Sequence, residues 1–251
     1  MTLTGHDRED GPLASSCGRS PSSVASSASG VPGAHLLPGE LERPAWDHTR
    51  RRRVAEIVAA ARSILEAGGE DALTMRRVAD ELGIQAPSLY KHFASKADLE
   101  LALLTDAMVE IGEASHHAIH VGGDEPALVL LLETYRRYSL SHPHLYRLAT
   151  AGPLVRPGLP AGLEEWAGNP WYVVTGDPYL AQALWSFAHG MVILELDGRY
   201  PPGSNLGATW AAGAKAFEVL AAAGRGRAWN ASAQDFDQQD PGVPDAGDDA
   251  K

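Results

Sequence analysis

Hydrophobic positions along the chain are most regular between residues 54 and 111. Val54, Ile57, Val58, Ala61, Ile64 and Leu65 recur at the three- and four-residue spacing of one helical face, and Gly68-Gly69 ends the run. This predicts a helix over residues 50–67. Val78, Ala79 and Leu82 form a second apolar side behind Thr74, whose hydroxyl suits a helix N-cap. Gly83 supplies the positive φ that a tight turn between helices needs. Pro87 then fits the first turn of a third helix, in which Leu89 and Phe93 turn inward at i, i+4. Gln85, Ser88, Tyr90, Lys91 and His92 are left facing outward. Ser95 with Asp98 predicts a capped fourth helix running through Leu99, Leu103 and Ile111.

The second half shows no sustained alternation of the kind strands need. Leu128, Leu131, Leu132, Tyr135 and Tyr138 keep helical spacing until Ser141-His142-Pro143 interrupts them. Leu145, Tyr146 and Leu148 make a short segment, and residues 152–170 carry enough Gly and Pro to predict a loop with at most one helical turn. Asp177-Pro178 starts a long helix through Leu180, Leu184, Phe187, Met191 and Leu194, stopping near Asp197-Gly198. Trp210, Phe217 and Leu220 mark a last helix whose small residues, among them Gly213, permit close helix contact. The expected fold is all-α: a three-helix helix-turn-helix head joined to a helical C-terminal domain.

Both ends differ from this middle. Residues 1–45 are rich in Ser, Gly and Pro, and residues 228–251 in Asp, Gly and Gln; neither has the apolar content of a packed core, so both are expected to be disordered. The domain expectation is therefore an arm at 1–45, a head at 46–105, a helical C-terminal domain at 106–227, and an acidic tail at 228–251. The full chain carries a formal charge of −11. Between residues 49 and 96, however, nine bases stand against six acids, and four of the bases are the run 50–53. A basic segment with a protruding polar helix points to the phosphate backbone and base edges of DNA.

The residues Leu73-Thr74, Val78-Ala79, Leu82-Gly83-Ile84, Pro87-Ser88-Leu89-Tyr90, His92-Phe93 and Lys96 resemble the N-terminal domain of the tetracycline-repressor (TetR) family of transcription regulators. The resemblance implies a ligand-responsive repressor that binds a palindromic double-stranded DNA operator as a homodimer. It places Arg76, Tyr90 and Lys96 at phosphate-contacting positions, and Gln85, Ala86, Ser88, Lys91 and His92 near the bases, with Pro87 opening the reading helix. His142-Pro143-His144-Leu145-Tyr146 and Trp185-Ser186-Phe187-Ala188-His189-Gly190 are similar to a C-terminal domain of WHG type found on a subset of these proteins. In the wider family the last two helices pair with those of a second subunit, which here implies a dimer face at 177–196 and 204–223.

Candidate effector residues are Tyr135, Tyr138, Tyr146, Trp185 and His189, within a wider aromatic set that includes Trp166, Trp171, Tyr172 and Phe187. His116, His117 and His120 have an i, i+4 pair but no supporting carboxylate or thiolate, so a solvated face is expected and no metal. Cys17 is the single cysteine, which excludes an intrachain disulfide. No cofactor is implied. The charged start at Asp7-Arg8-Glu9-Asp10 and the lack of a spanning apolar run predict a cytoplasmic protein without membrane contact. The rival readings are a hydrolase using one of the ten histidines and a dimerising scaffold without DNA binding. Against the first, the sequence has no Gly-x-Ser-x-Gly elbow, no His-Glu-x-x-His and no phosphate-cradling glycine loop.

Overall fold

The computed structural model describes residues 41–44, 52–121 and 124–224. These belong to one compact unit, and all regular structure among them is helical. The expected arm, apart from its last few residues, and the acidic tail lie outside the described residues, as do Arg50 and Arg51.

Helix α1, Arg52–Gly68, buries Ile57, Val58, Ala61, Ile64 and Leu65, the face the periodicity marked. Gly69 follows at φ 75°, and a Cβ there would lie 3.3 Å from His144 Nδ1, so a larger residue would be strained and crowded at once. Helix α2, Met75–Glu81, starts on Thr74, whose side chain accepts the Arg77 N–H at 3.2 Å. The turn after it uses Gly83 at φ 61°. Helix α3, Ala86–Tyr90, is shorter than the pattern suggested. The chain beyond Tyr90 stays coiled, because the Phe93 N–H still reaches Leu89 O at 3.1 Å and Phe93 is pulled into the core.

Helix α4, Lys96–Val121, is capped by a reciprocal pair: Asp98 N–H donates to Ser95 Oγ, and Ser95 N–H donates to Asp98 Oδ2. It runs unbroken past residue 105, so head and C-terminal body share one long rod. Helices α5, Ala127–Ser141, and α6, Pro143–Thr150, are separated at His142, where φ −131° and ψ 60° leave the helical region ahead of Pro143.

The expected loop at 152–170 is only half a loop. Helix α7, Leu163–Thr175, contains Pro170 in its interior. Proline has no N–H to give Trp166 O four residues back, and His116 Nε2 on α4 meets that carbonyl at 2.9 Å instead. The same imidazole stacks on the Trp166 indole with centroids 4.8 Å apart. Composition alone hid this helix, since its proline is tolerated through a contact 50 residues away in sequence.

Helix α8, Pro178–Leu196, starts on Asp177, whose carboxylate accepts the Leu180 N–H at 2.8 Å, and α9 is Leu206–Gly224. A Cβ on Gly213 of α9 would run into the Phe187 ring of α8, which explains the close approach the small residues allow. Glu195 ties three helices together, accepting both Arg136 Nε and Nη2 from α5 and Trp210 Nε1 from α9.

Two cores result. One lies in the head and draws on α1 to α4; the other is built from α5 to α9 around Leu131, Leu184, Val192 and Trp210. The head's core also contains Leu145 of α6, fully buried, with Leu148 and Ala149 packed beside it. Truncation of Leu145 to Ala is therefore expected to destabilise the protein by about 2–5 kcal/mol. Urea unfolding measures this, and a loss below about 0.5 kcal/mol would contradict the shared core.

Candidate functional site

The helix-turn-helix brings most of the sequence-predicted DNA residues to one exposed end of the head. Gln85, Pro87, Lys91 and His92 are exposed, and Tyr90 is 50% exposed despite its size. Tyr90 ends α3, Lys91 is its C-cap, and His92 follows in the turn. Arg76 stands on the exposed side of α2, 3.8 Å from Asp80, a loose pair at high exposure. Lys96 opens α4 and pairs with Glu100 at 3.0 Å. The first is a surface ion pair of little net worth, which leaves Arg76 available to phosphates; in the second both residues are half-buried and the paired Glu100 oxygen is shielded from water.

Two of the residues that the resemblance places near the bases are less open than the rest. Ala86 is half-buried against the head's core, and Ser88 is half-buried as well. A five-residue helix resting on Leu89 has to turn part of its first turn inward, so Ala86 contributes packing as much as surface. Of the basic run, Arg52 and Arg53 both reach Glu56, at 3.0 and 2.9 Å. Their hydrogen bonds, that of Arg53 foremost, hold the Glu56 carboxyl below its ordinary range.

In the body, four of the five candidate effector residues come together. Tyr135 and Tyr146 hydroxyls are 3.0 Å apart, Tyr146 Oη is 2.7 Å from His189 Nδ1, and the His189 ring stacks on Trp185 with centroids 5.6 Å apart. Burial pushes the Tyr135 hydroxyl up to about 12 and Tyr146 higher still, so both keep their protons. Both are satisfied when Tyr135 donates to Tyr146 and Tyr146 donates to Nδ1, which leaves the proton of a neutral imidazole on Nε2. Burial also lowers the His189 pKa, favouring that neutral form. Trp185 itself is 43% exposed.

Tyr138 is the exception. It points to the seam with the head, donating to Glu110 Oε2 at 3.0 Å, and Glu110 also takes two hydrogen bonds from the Arg62 guanidinium of α1. Burial pushes Glu110 up, but the Arg62 and Tyr138 hydrogen bonds outweigh it and hold the carboxyl below its usual range. Beside this cluster, Glu66 of α1 accepts the Leu145 N–H at 3.2 Å, placing a carboxylate on the N-terminus of α6 where the helix dipole favours it. A groove of about 610 Å³ follows the same seam, between Ala59, Arg62, Ser63 and Glu66 on one wall and residues 141–144 on the other. Sequence reasoning missed this seam: only Glu66, an acid beside the buried Leu65 and ten residues from the Glu56 that pairs with Arg52 and Arg53, hinted at it.

Among the described residues no cluster of three or more potential metal ligands occurs, and His116 is engaged by Trp166. The expectation of a solvated face fails for His116, which is half-buried and holds α4 to α7.

Because His189 is held below its ordinary value of 6.5, the unfolded chain binds more protons below that pH than the folded one. Its contribution is complete above pH 6.5 and falls as pH drops. The stability gap between wild type and His189→Asn should thus shrink from pH 7.5 to pH 5.5 in urea titrations; a pH-independent gap would overturn this assignment.

The sequence profile of bacterial regulatory proteins of the tetR family matches residues 57–103. An uncharacterised HTH-type transcriptional regulator of Mycobacterium tuberculosis is 30% identical over 185 residues, covering 69% of this chain and 82% of the relative. The class A tetracycline repressor of transposon 1721 from Escherichia coli is 32% identical over 106 residues, 41% of this chain and 46% of that repressor. Among solved structures, apo ActR from Streptomyces coelicolor is similar at a TM-score of 0.51 and 22% identity, covering 69% of this chain and 97% of its own, which supports the fold. Among the described residues no helix is long and apolar enough to cross a membrane. With its helix-turn-helix, its all-α body and these relatives, the chain belongs to the TetR family of DNA-binding transcriptional regulators and is not an enzyme.

Proposed function

We propose that the protein is a ligand-responsive repressor that binds a palindromic operator in the cytoplasm as a homodimer. The observation that carries this reading is the exposed Tyr90, Lys91 and His92 at the end of a short helix whose other face is locked into the head's core by Leu89 and Phe93. Arg76, Tyr90 and Lys96 hold phosphates and set register, while Gln85, Lys91 and His92 meet base edges. Ser88 and Ala86 add close contacts at the rim of the groove, and Pro87 fixes the start of the reading helix.

The dimer face is the outer side of α8 and α9. Tyr179, Leu194, Val219 and Leu220 are large, apolar and between 42% and 58% exposed, an unusual concentration for a face left in water. Met191 and Phe217, on the same two helices, serve elsewhere: Met191 is 6% exposed and takes the Tyr200 hydroxyl on its sulfur, and Phe217 packs on Phe187. The C-terminal body is of WHG type, with Trp185 and His189 stacked. Its effector site centres on Tyr135, Tyr146, Trp185 and His189. A ligand there displaces α6 through Tyr146, and α6 in turn moves the head through Leu145 and Glu66.

Three outcomes test this reading. Recovery of bound genomic fragments with the purified protein identifies the operator, and on that duplex Lys96→Ala should lower the log–log salt slope by about 0.9. Gln85→Ala should relax discrimination at a base pair by about 1–3 kcal/mol instead, and an unchanged sequence preference would remove Gln85 from the bases. On a sizing column, Leu220→Arg should convert dimers to folded monomers with helicity retained; persistence of the dimer would place the interface elsewhere.

A further inference from the structure

Residues 41–44 precede α1 yet rest on the body, where among the described residues three contacts hold them. The Leu41 N–H donates to Asn169 Oδ1 at 3.1 Å, and that asparagine is completely buried in α7. Arg43 Nη2 lies 2.9 Å from Glu113 Oε1 on α4. Pro44 covers Gly162 at the start of α7, where a Cβ would come 3.4 Å from the proline Cγ. The segment thus touches both helices at their crossing. That crossing has no spare room, since a Cβ on Gly112, next to Glu113, would collide with the Trp166 ring.

A stretch just ahead of a helix-turn-helix could instead serve the DNA. Two observations oppose that role. Residues 1–44 hold three arginines against five acids, Asp7, Glu9, Asp10, Glu40 and Glu42, so they carry no excess of positive charge for phosphates. Glu113 also lies 17 residues beyond Lys96 on α4, about 26 Å along the rod from the head's end.

We propose that residues 41–44 are a strap that clamps α4 to α7 across their crossing, and that this chain's own N-terminal segment thereby sets the rigidity of the rod carrying the head. Fastened, the strap makes α4 and α7 one body; released, it frees the outer half of α4 to shift against α7. A buried amide oxygen satisfied by a backbone donor from a remote segment is a directional lock, because the bond is lost if the strap slides by one residue. The inference stands apart from the identity of operator or effector.

Amide hydrogen exchange on the full-length protein tests it without DNA. In the wild type the Leu41 amide should exchange at least about tenfold more slowly than in an unstructured peptide. Leu41→Pro removes that donor, and combined with Arg43→Glu it should speed exchange in Leu163–Thr175 and around Glu113 by roughly tenfold. Exchange in the reading helices, 75–90, should stay unchanged. The pair Arg43→Glu with Glu113→Arg, which reverses the ion pair, should keep wild-type protection. A Leu41 amide exchanging at the free rate, an unaltered α7 in the double variant, or a change confined to residues 75–90 would each overturn the strap.

Discussion

Burial of Leu145 in the head's core is the constraint on which the rest of the molecule depends. The residue belongs to α6, a helix of the C-terminal body, yet its side chain completes the apolar cluster formed by Ile57, Val58, Ala61 and Leu65 of α1 and by Leu99 and Leu103 of α4. Glu66 fixes the approach by accepting the Leu145 N–H at the start of α6. A helix end needs partners for its first N–H groups, and here one partner is supplied by the head itself. The polar seam of Arg62, Glu110 and Tyr138 then adds a second tie beside the first. Head and body are therefore coupled by packing and by hydrogen bonds at one place, and any displacement of α6 must be felt at α1.

That coupling gives the aromatic chain of the body a route outward. Tyr146 sits one position after Leu145 on α6, so the helix turns Leu145 into the head and the Tyr146 hydroxyl toward Tyr135 and His189. One short helix thus reads the interior of the body on one side and supports the head on another. Eight residues are enough because the connection to α5 breaks at Pro143, which lets α6 take its own direction.

Much of this was legible in the sequence because local rules decide it. The buried face of α1, the Thr74 cap, the Gly83 turn and the Ser95–Asp98 pair depend on neighbours a few residues away. What stayed hidden depends on contacts distant in sequence. In helix α7 the carbonyl that Pro170 leaves without its helical donor, Trp166 O, meets His116 from α4. The inward lean of Ala86 follows from how α3 is seated on the head's core, and Tyr138 turns to Glu110 where helical spacing alone placed it with Tyr135. The aromatic candidates were recognisable by type, but which of them share a hydrogen-bond chain is a property of how α5, α6 and α8 meet.

The central claim is that head and body form one cooperative unit through α6. Urea unfolding followed amide by amide by NMR tests it most directly. The account predicts that signals from Arg52–Gly68 in α1, from Pro143–Thr150 in α6 and from the lower half of α4 vanish over a single transition with one midpoint. A head that melts at a distinctly lower urea concentration while α6 keeps its native signals would contradict it.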